Sequence, residues 1–432
     1  MKLYSTNSPD EFVSLKTAVL KGLPDDNGLF MPQHIPSLPE AFINNLDQYS
    51  FADIAFEICK TLLANAIPEE DLYQLVKEAV NFPAPVVSLD DSKYVLELFH
   101  GPSLAFKDFG ARFMAQLMSY FNKGESKELT ILVATSGDTG GAVAAGFYKT
   151  LGINVIILYP SGKVSALQEK QLTTLGENIT ALEVDGTFDD CQALVKKAFL
   201  DKTLNQHLRL SSANSINIAR LIPQSFYYFE AYKQLPKDKR DAVFCVPSGN
   251  FGNLTAGLFA QKMGLPIKNF IAATNANDVV PEYLETGEYI PRPSVQTVSN
   301  AMDVGSPSNF ARMQNLCSTW NVMKEVISGY ACDDELTKKG VREVKDKYDY
   351  IIDPHGAVGY NAVKEYQQRH SNTKAVILET AHYSKFVDVV EPVLDEKVPI
   401  PERLAKLADK QKVAIQMSKD FEAFKNWLLE NR

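Results

Sequence analysis

The sequence predicts an α/β protein built on parallel sheet. Short apolar runs recur from Glu128 onward: Leu129 to Ala134, Val155 to Tyr159, Ile179 to Val184, Ala242 to Val246, Phe270 to Ala273 and Ala375 to Leu378. Stretches of helical periodicity separate them, the rhythm of strands joined by crossover helices. Two of the runs also lead straight into Gly- and Ser-rich turns followed by small-residue helices, as at the carboxyl edge of a parallel sheet.

Taken in order, residues 1 to 85 read as a mainly helical section. Apolar periodicity marks Phe51-Ala-Asp-Ile-Ala-Phe-Glu-Ile-Cys-Lys60 and Asp71-Leu-Tyr-Gln-Leu-Val-Lys-Glu-Ala-Val80, and Phe82-Pro-Ala-Pro85 closes the section. The alternating strands and helices follow. Residues 402–432 carry Leu404, Leu407, Phe421, Phe424, Trp427 and Leu428 at helical spacing and predict a docked C-terminal helix.

A chain of 432 residues has room for two or three domains and a large core. Its net charge of -9, spread without a basic stripe, argues against a nucleic-acid partner. The apolar runs are too short to span a bilayer, and Met1-Lys-Leu-Tyr-Ser-Thr-Asn7 lacks an apolar signal core, so a cytoplasmic location is expected. Five scattered cysteines without a Cys-x-x-Cys pair fit free thiols in a reducing compartment, and the six histidines show no metal-ligand spacing.

Chemistry concentrates in Phe99-His-Gly-Pro-Ser-Leu-Ala-Phe-Lys-Asp-Phe-Gly110. Apolar neighbours around Lys107 disfavour its ammonium and lower its pKa from about 10.4, leaving an amine able to attack an aldehyde. The residues alone also admit a surface lysine paired with Asp108. Thr135-Ser-Gly-Asp-Thr-Gly-Gly141 and Pro247-Ser-Gly-Asn-Phe-Gly-Asn253 are each a candidate anion cradle, although small residues serve such turns for steric reasons too. Neither matches a P-loop or a dinucleotide fingerprint. An imine-forming lysine beside an anion cradle suggests pyridoxal 5'-phosphate, with the second cradle left for a substrate carboxylate.

Taken together, these segments resemble the threonine synthase family, pyridoxal-phosphate enzymes of the tryptophan-synthase-β-like (type II) fold. The likeness spans nearly the whole chain. It rests on Asn27-Gly-Leu-Phe-Met-Pro32, the Lys107 segment, Ala134 to Gly140, Leu158-Tyr-Pro-Ser-Gly-Lys-Val-Ser165, Ser211-Ser-Ala-Asn-Ser-Ile-Asn-Ile-Ala-Arg220, Pro247 to Asn253 and Glu379-Thr-Ala-His-Tyr-Ser-Lys-Phe386.

The resemblance implies two open, mostly parallel twisted-sheet domains: a large cofactor-binding one from 86–112 and 226–401, and a small one from 113–225 that closes over substrate. It implies that Lys107, preceded by Phe106, holds the cofactor and then shuttles protons. Gly249, Asn250, Phe251, Gly252 and Asn253 would cradle its phosphate, Thr380 would meet the ring nitrogen, and Asp138 would lie beside the ring oxygen, with its protonation open. Ser136, Gly137 and Thr139 would take the substrate carboxylate. Asn214, Ser215, Asn217 and Arg220, with Lys163 as a lesser candidate, would take the phosphate of O-phospho-L-homoserine, the implied substrate. Arginine suits a phosphate through its planar fork of donors, although Arg220 read alone could be a surface ion pair. The implied reaction removes protons at Cα and Cβ, expels the γ-phosphate and adds water at Cβ to give threonine, with the released phosphate retained to help activate the water. Oligomeric state is not legible.

Two positions depart from the family pattern: Tyr383 and Ser384 where Pro-Ala is usual, and Ser103 where threonine is commoner. Alternatives are another type II lyase, such as a threonine dehydratase or an amino-phospholyase, a non-catalytic binder on the same scaffold, and a serine hydrolase using Ser103 with His100. The last fails at Ala105, which stands where a nucleophile elbow needs glycine.

Overall fold

The computed structural model describes all 432 residues. Strands β1 (Lys2–Ser5), β2 (Ser8–Ser14) and β3 (Phe30–Pro32) open the chain as an antiparallel sheet in the order β2-β1-β3. The first section is therefore not only helical: β1 is only four residues long and β2 is mostly exposed, so neither carries the apolar run that marks a buried strand. Helices Phe51–Leu63 and Glu69–Ala79 follow where periodicity places them. Ser50 and Asp53 form a reciprocal capping box that satisfies donors at the start of the first.

Next come β4 (Val86–Ser88) and β5 (Lys93–Glu97), then β6 (Leu129–Ala134), β7 (Ile153–Pro160), β8 (Ile179–Asp185) and β9 (Arg209–Ser212). The chain continues through β10 (Val243–Pro247), β11 (Phe270–Thr274), β12 (Ile327–Ala331), β13 (Ala375–Glu379) and β14 (Ile415–Ser418). Two sheets result. The larger runs β12-β11-β10-β13-β5-β4, parallel throughout except for the antiparallel edge strand β4, and the smaller runs β14-β8-β7-β6-β9, all parallel. Strands β6, β10, β11 and β13 are buried at every residue, which is why they read as unbroken apolar runs.

Residues 402–432 are a short helix Glu402–Ala408, strand β14 and helix Phe421–Asn431, rather than one docked helix. Helical spacing holds within each helix. Between them the chain extends and pairs with β8, with Ile415 opposite Leu182 and Ser418 opposite Asp185. Met417, Phe424 and Leu428 then bury against Leu182, Val184 and Leu194 on one face of the small sheet. Helix Lys107–Asn122 runs unbroken across residues 112 and 113, so no turn separates the two sheets there. No helix is long and apolar enough to cross a membrane.

Arg312 ties three sections together. It is fully buried and has no carboxylate partner; its guanidinium donates to the carbonyls of Phe30, Ser215 and Ile216 and to Asn309 Oδ1 at 2.7 Å. Burial lowers its pKa to about 9. Replacing it by methionine would strand those buried acceptors, so Arg312→Met should lower stability by about 2 kcal/mol. Urea unfolding checks this, and an unchanged midpoint would show that the carbonyls find other donors.

Candidate active site

The segments that follow β5, β6 and β13 meet at Lys107, Asp138 and Lys385, and the one that follows β10 reaches the small sheet through Asn250 and Ser215. Strand β10 has β11 on one side and β13 on the other, so the strand order reverses here, the place where open α/β sheets bind ligands. After β5 the chain leaves the sheet and doubles back. Phe106 N donates to Thr380 O at 2.8 Å and His382 N to Leu104 O at 3.0 Å, around an antiparallel bridge between Ala105 and Ala381. Leu104 accepts a left-handed φ of 60° to make this turn. Lys107 then begins its helix with a side chain only 17% exposed, its Nζ 5.8 Å from the centre of the Phe106 ring.

Burial lowers the Lys107 pKa; Asp138 opposes that shift, while Lys385 and Arg220 add to it. The pairing of Lys107 with Asp108 that the sequence also allowed does not form. Asp108 is buried and accepts Ser103 N at 2.8 Å, and burial raises its carboxyl to about 6. Lys107 faces Asp138 instead, with Nζ 3.9 Å from Oδ2.

Asp138 is held on its other side by a residue to which the sequence assigned no role. Lys385 Nζ lies 2.5 Å from Asp138 Oδ1, which also accepts Gln168 Nε2 at 2.8 Å. Burial pushes this carboxyl up, but Lys385 and Lys107 outweigh it and hold it well below the ordinary carboxylate range. The two lysines thus favour the ionised form of Asp138. The Glu379 to Phe386 motif contained Lys385, but nothing in its local spacing pointed to Asp138.

The turn after β6 presents Ser136, Gly137 and Thr139. Gly137 sits at φ 142°, and a Cβ there would meet Gln168 at 2.7 Å. Thr135 Oγ1 takes the Gly137 and Gly140 amides, leaving those of Ser136, Asp138 and Thr139 without protein acceptors. After β10, the side chain of Asn253 is spent on the turn itself: its Nδ2 donates to Pro247 O, and its Oδ1 accepts Ser248 Oγ and Leu254 N. Asn250 donates to Ser215 Oγ and accepts Ser308 N, so it bridges the two sheets' loops. The turn therefore offers main-chain amides of Gly249 to Asn253, with Phe251 left-handed at φ 57°. A Cβ on Gly249 would lie 2.7 Å from Met302 Cα.

Among the remaining candidates, Arg220 is buried, donates from Nη1 to Ala213 O at 2.7 Å and leaves Nε without a partner. Burial lowers its pKa to about 10. It has no carboxylate within ion-pair distance, so the surface ion pair that the sequence allowed is absent. Asn214 donates to Ala134 O at 3.2 Å. Asn217 is spoken for: its amide donates to Val19 O and Ser212 O, and its Oδ1 caps the following helix at Ala219 N, leaving no donor for a ligand. Lys163 is exposed and has no side-chain partner. Thr380 is buried, and its hydroxyl has no protein partner. The hydrolase reading fails as well, because His100 pairs with Glu97 and the Ser103 hydroxyl is buried without a base.

The comparisons with known proteins fit this site. The family model for pyridoxal-phosphate dependent enzymes matches residues 82–380, and those for the threonine synthase N terminus and C-terminal region match 2–80 and 356–428. The threonine synthase of Haemophilus influenzae is 47% identical, with each chain covered in full. This chain belongs to the threonine synthase family. Its fold matches the crystal structure of threonine synthase from Escherichia coli with TM-score 0.93 at 44% identity, all of both chains being covered. A PLP-bound threonine synthase from Brucella melitensis matches with the same score at 34% identity, over 100% of this chain and 99% of that one.

The chain is accordingly a pyridoxal-phosphate enzyme acting on a small-molecule substrate. The residues present fit that cofactor. A buried amine of lowered pKa, a turn of free amides where Gly249 allows close approach, and an unpartnered Thr380 hydroxyl lie at the ends of neighbouring elements. Gly249→Ala would push backbone against backbone at Met302. Its affinity for pyridoxal phosphate should fall at least about tenfold, a loss of about 1.4 kcal/mol, as measured by equilibrium dialysis.

Proposed function

We propose that the chain converts O-phospho-L-homoserine and water to L-threonine and phosphate, with Lys107 as the catalytic residue. The observation that carries this reading is a buried amine with a second, unpaired buried cation beside it. Arg220, buried and without a carboxylate partner, brings an uncompensated guanidinium charge close enough to Lys107 to depress that amine, and a second phosphate would neutralise it.

The free amides of Gly249, Asn250, Phe251, Gly252 and Asn253 would hold the cofactor phosphate, and the Thr380 hydroxyl would serve its ring nitrogen. When bound, the cofactor's ring draws off the electron pair left at Cα. Ser136, Gly137 and Thr139 hold the substrate carboxylate and so orient the Cα–H bond toward Lys107. Lys107 Nζ takes the Cα proton and relays protons at the neighbouring carbons. Arg220, with Asn214 and Ser215, holds the γ-phosphate and stabilises its charge as the Cγ–O bond breaks. Water then adds at Cβ. Lys163, exposed and without a side-chain partner, is a lesser candidate for the same phosphate.

We also assign 86–112 with 226–401 to the cofactor side and 113–225 to the side that closes and excludes water. β14 adds the segment after residue 401 to that second side. All five cysteines are buried and unpaired, which supports a reducing, cytoplasmic setting.

Purified, cofactor-loaded protein given O-phospho-L-homoserine should release threonine and phosphate in equal amounts, and Lys107→Ala should abolish both. Phosphate without threonine would replace this reading with that of an eliminating phospholyase.

A further inference from the structure

Lys385 is sealed from solvent, with a side chain 0% exposed. Its ammonium meets Asp138 Oδ1 at 2.5 Å and donates to Ser103 O at 2.9 Å. An ammonium has three N–H donors, so one remains without a protein acceptor. The same Asp138 carboxylate turns Oδ2 toward Lys107. One carboxylate therefore stands between two lysines, and only one of them has a role in the reaction above. The backbone fixes both, because Lys385 follows the strand segment that pairs with Leu104 and Phe106.

We infer that Lys385 is a positioning residue: with Asp138 it forms a charge pair that sets the protonation of the Lys107 nitrogen when that nitrogen is joined to the cofactor. The inference rests on the assignment of Lys107 above. A carboxylate only accepts hydrogen bonds, so Asp138 alone would favour a proton on Lys107 and repel the cofactor's ring oxygen. Lys385 opposes that bias by engaging Oδ1, and it brings an ammonium donor to the same place. A positive charge close by disfavours a second one on Lys107, and a negative charge favours it.

The other charged groups at this point are few. Arg220 approaches from the helix Ile218–Leu221, and Asp108 from the Lys107 helix, where it binds the amide of Ser103 while Lys385 binds that residue's carbonyl. Gln168, from the helix Ala166–Thr173, is neutral. His382, on the same segment as Lys385, engages Ser384 Oγ at 2.8 Å.

The test is a spectrophotometric pH titration of the cofactor-loaded protein, which reads the protonation of the Lys107 nitrogen without turnover. Lys385→Met leaves Asp138 uncompensated and should raise the midpoint by about one unit or more. Asp138→Asn should lower it by a similar amount, and the double variant should return toward the wild-type value. Lys385→Arg, which keeps the charge, should stay closer to wild type than Lys385→Met.

An unshifted midpoint in Lys385→Met, with the cofactor still fixed to Lys107 by borohydride reduction, would overturn the inference and leave the reaction assignment standing. If that variant does not fold, an unshifted Asp138→Asn midpoint overturns it equally. Borohydride fixation at another lysine, or fixation that survives Lys107→Ala, would instead remove the assignment of Lys107 on which the inference stands.

Discussion

The two backbone hydrogen bonds between residues 104–106 and 380–382 are the constraint on which the site depends. They extend the pairing of β5 with β13, where Leu98 N already donates to Glu379 O at 3.0 Å, and then bring the chain back across the sheet's end. Lys107 is thereby placed against Thr380 by main chain, not by flexible side chains. Leu104 takes a backbone conformation that costs a non-glycine residue about 1–2 kcal/mol, tolerated because its neighbours are pinned on both sides.

Charge is arranged around that frame in a way that bulk composition hides. The chain is acidic overall, at -9, yet the site gathers Lys107, Lys385 and Arg220 against the single low-pKa carboxylate of Asp138. Asp108, the other nearby acid, is buried behind them and titrates near 6. An excess of positive charge with little water to screen it suits a cofactor and a substrate that each carry phosphate. Main-chain amides at the two turns add donors without further lysines or arginines.

Much of this was legible in the sequence. Central strands announce themselves because both faces are buried, so β6, β10 and β13 are apolar at nearly every position. Strands β5, β9, β12 and β14 were missed because they are short or mix polar with apolar residues, as in Arg209-Leu-Ser-Ser212 and Ile327-Ser-Gly-Tyr-Ala331. Lys107 and its two turns could be read locally, since each is one continuous segment. The Lys385–Asp138 pair could not, because its partners are far apart in the chain and meet only through the topology. Asn217 shows the opposite failure: grouped with ligand donors, it stands just before Ile-Ala-Arg, where an asparagine is a favoured helix cap.

Strand β14 also shapes how the protein is made. It completes the small sheet beside β8, yet the ribosome produces it only after every strand of the large sheet. Until then β8 is an edge with unpaired amides and carbonyls, and Leu182 and Val184 lack Met417, Phe424 and Leu428 across from them. The small sheet therefore lacks its last strand until synthesis is nearly finished, although β6 to β9 are contiguous in sequence. During synthesis its open flank is the surface a chaperone would shield or a second nascent chain would capture.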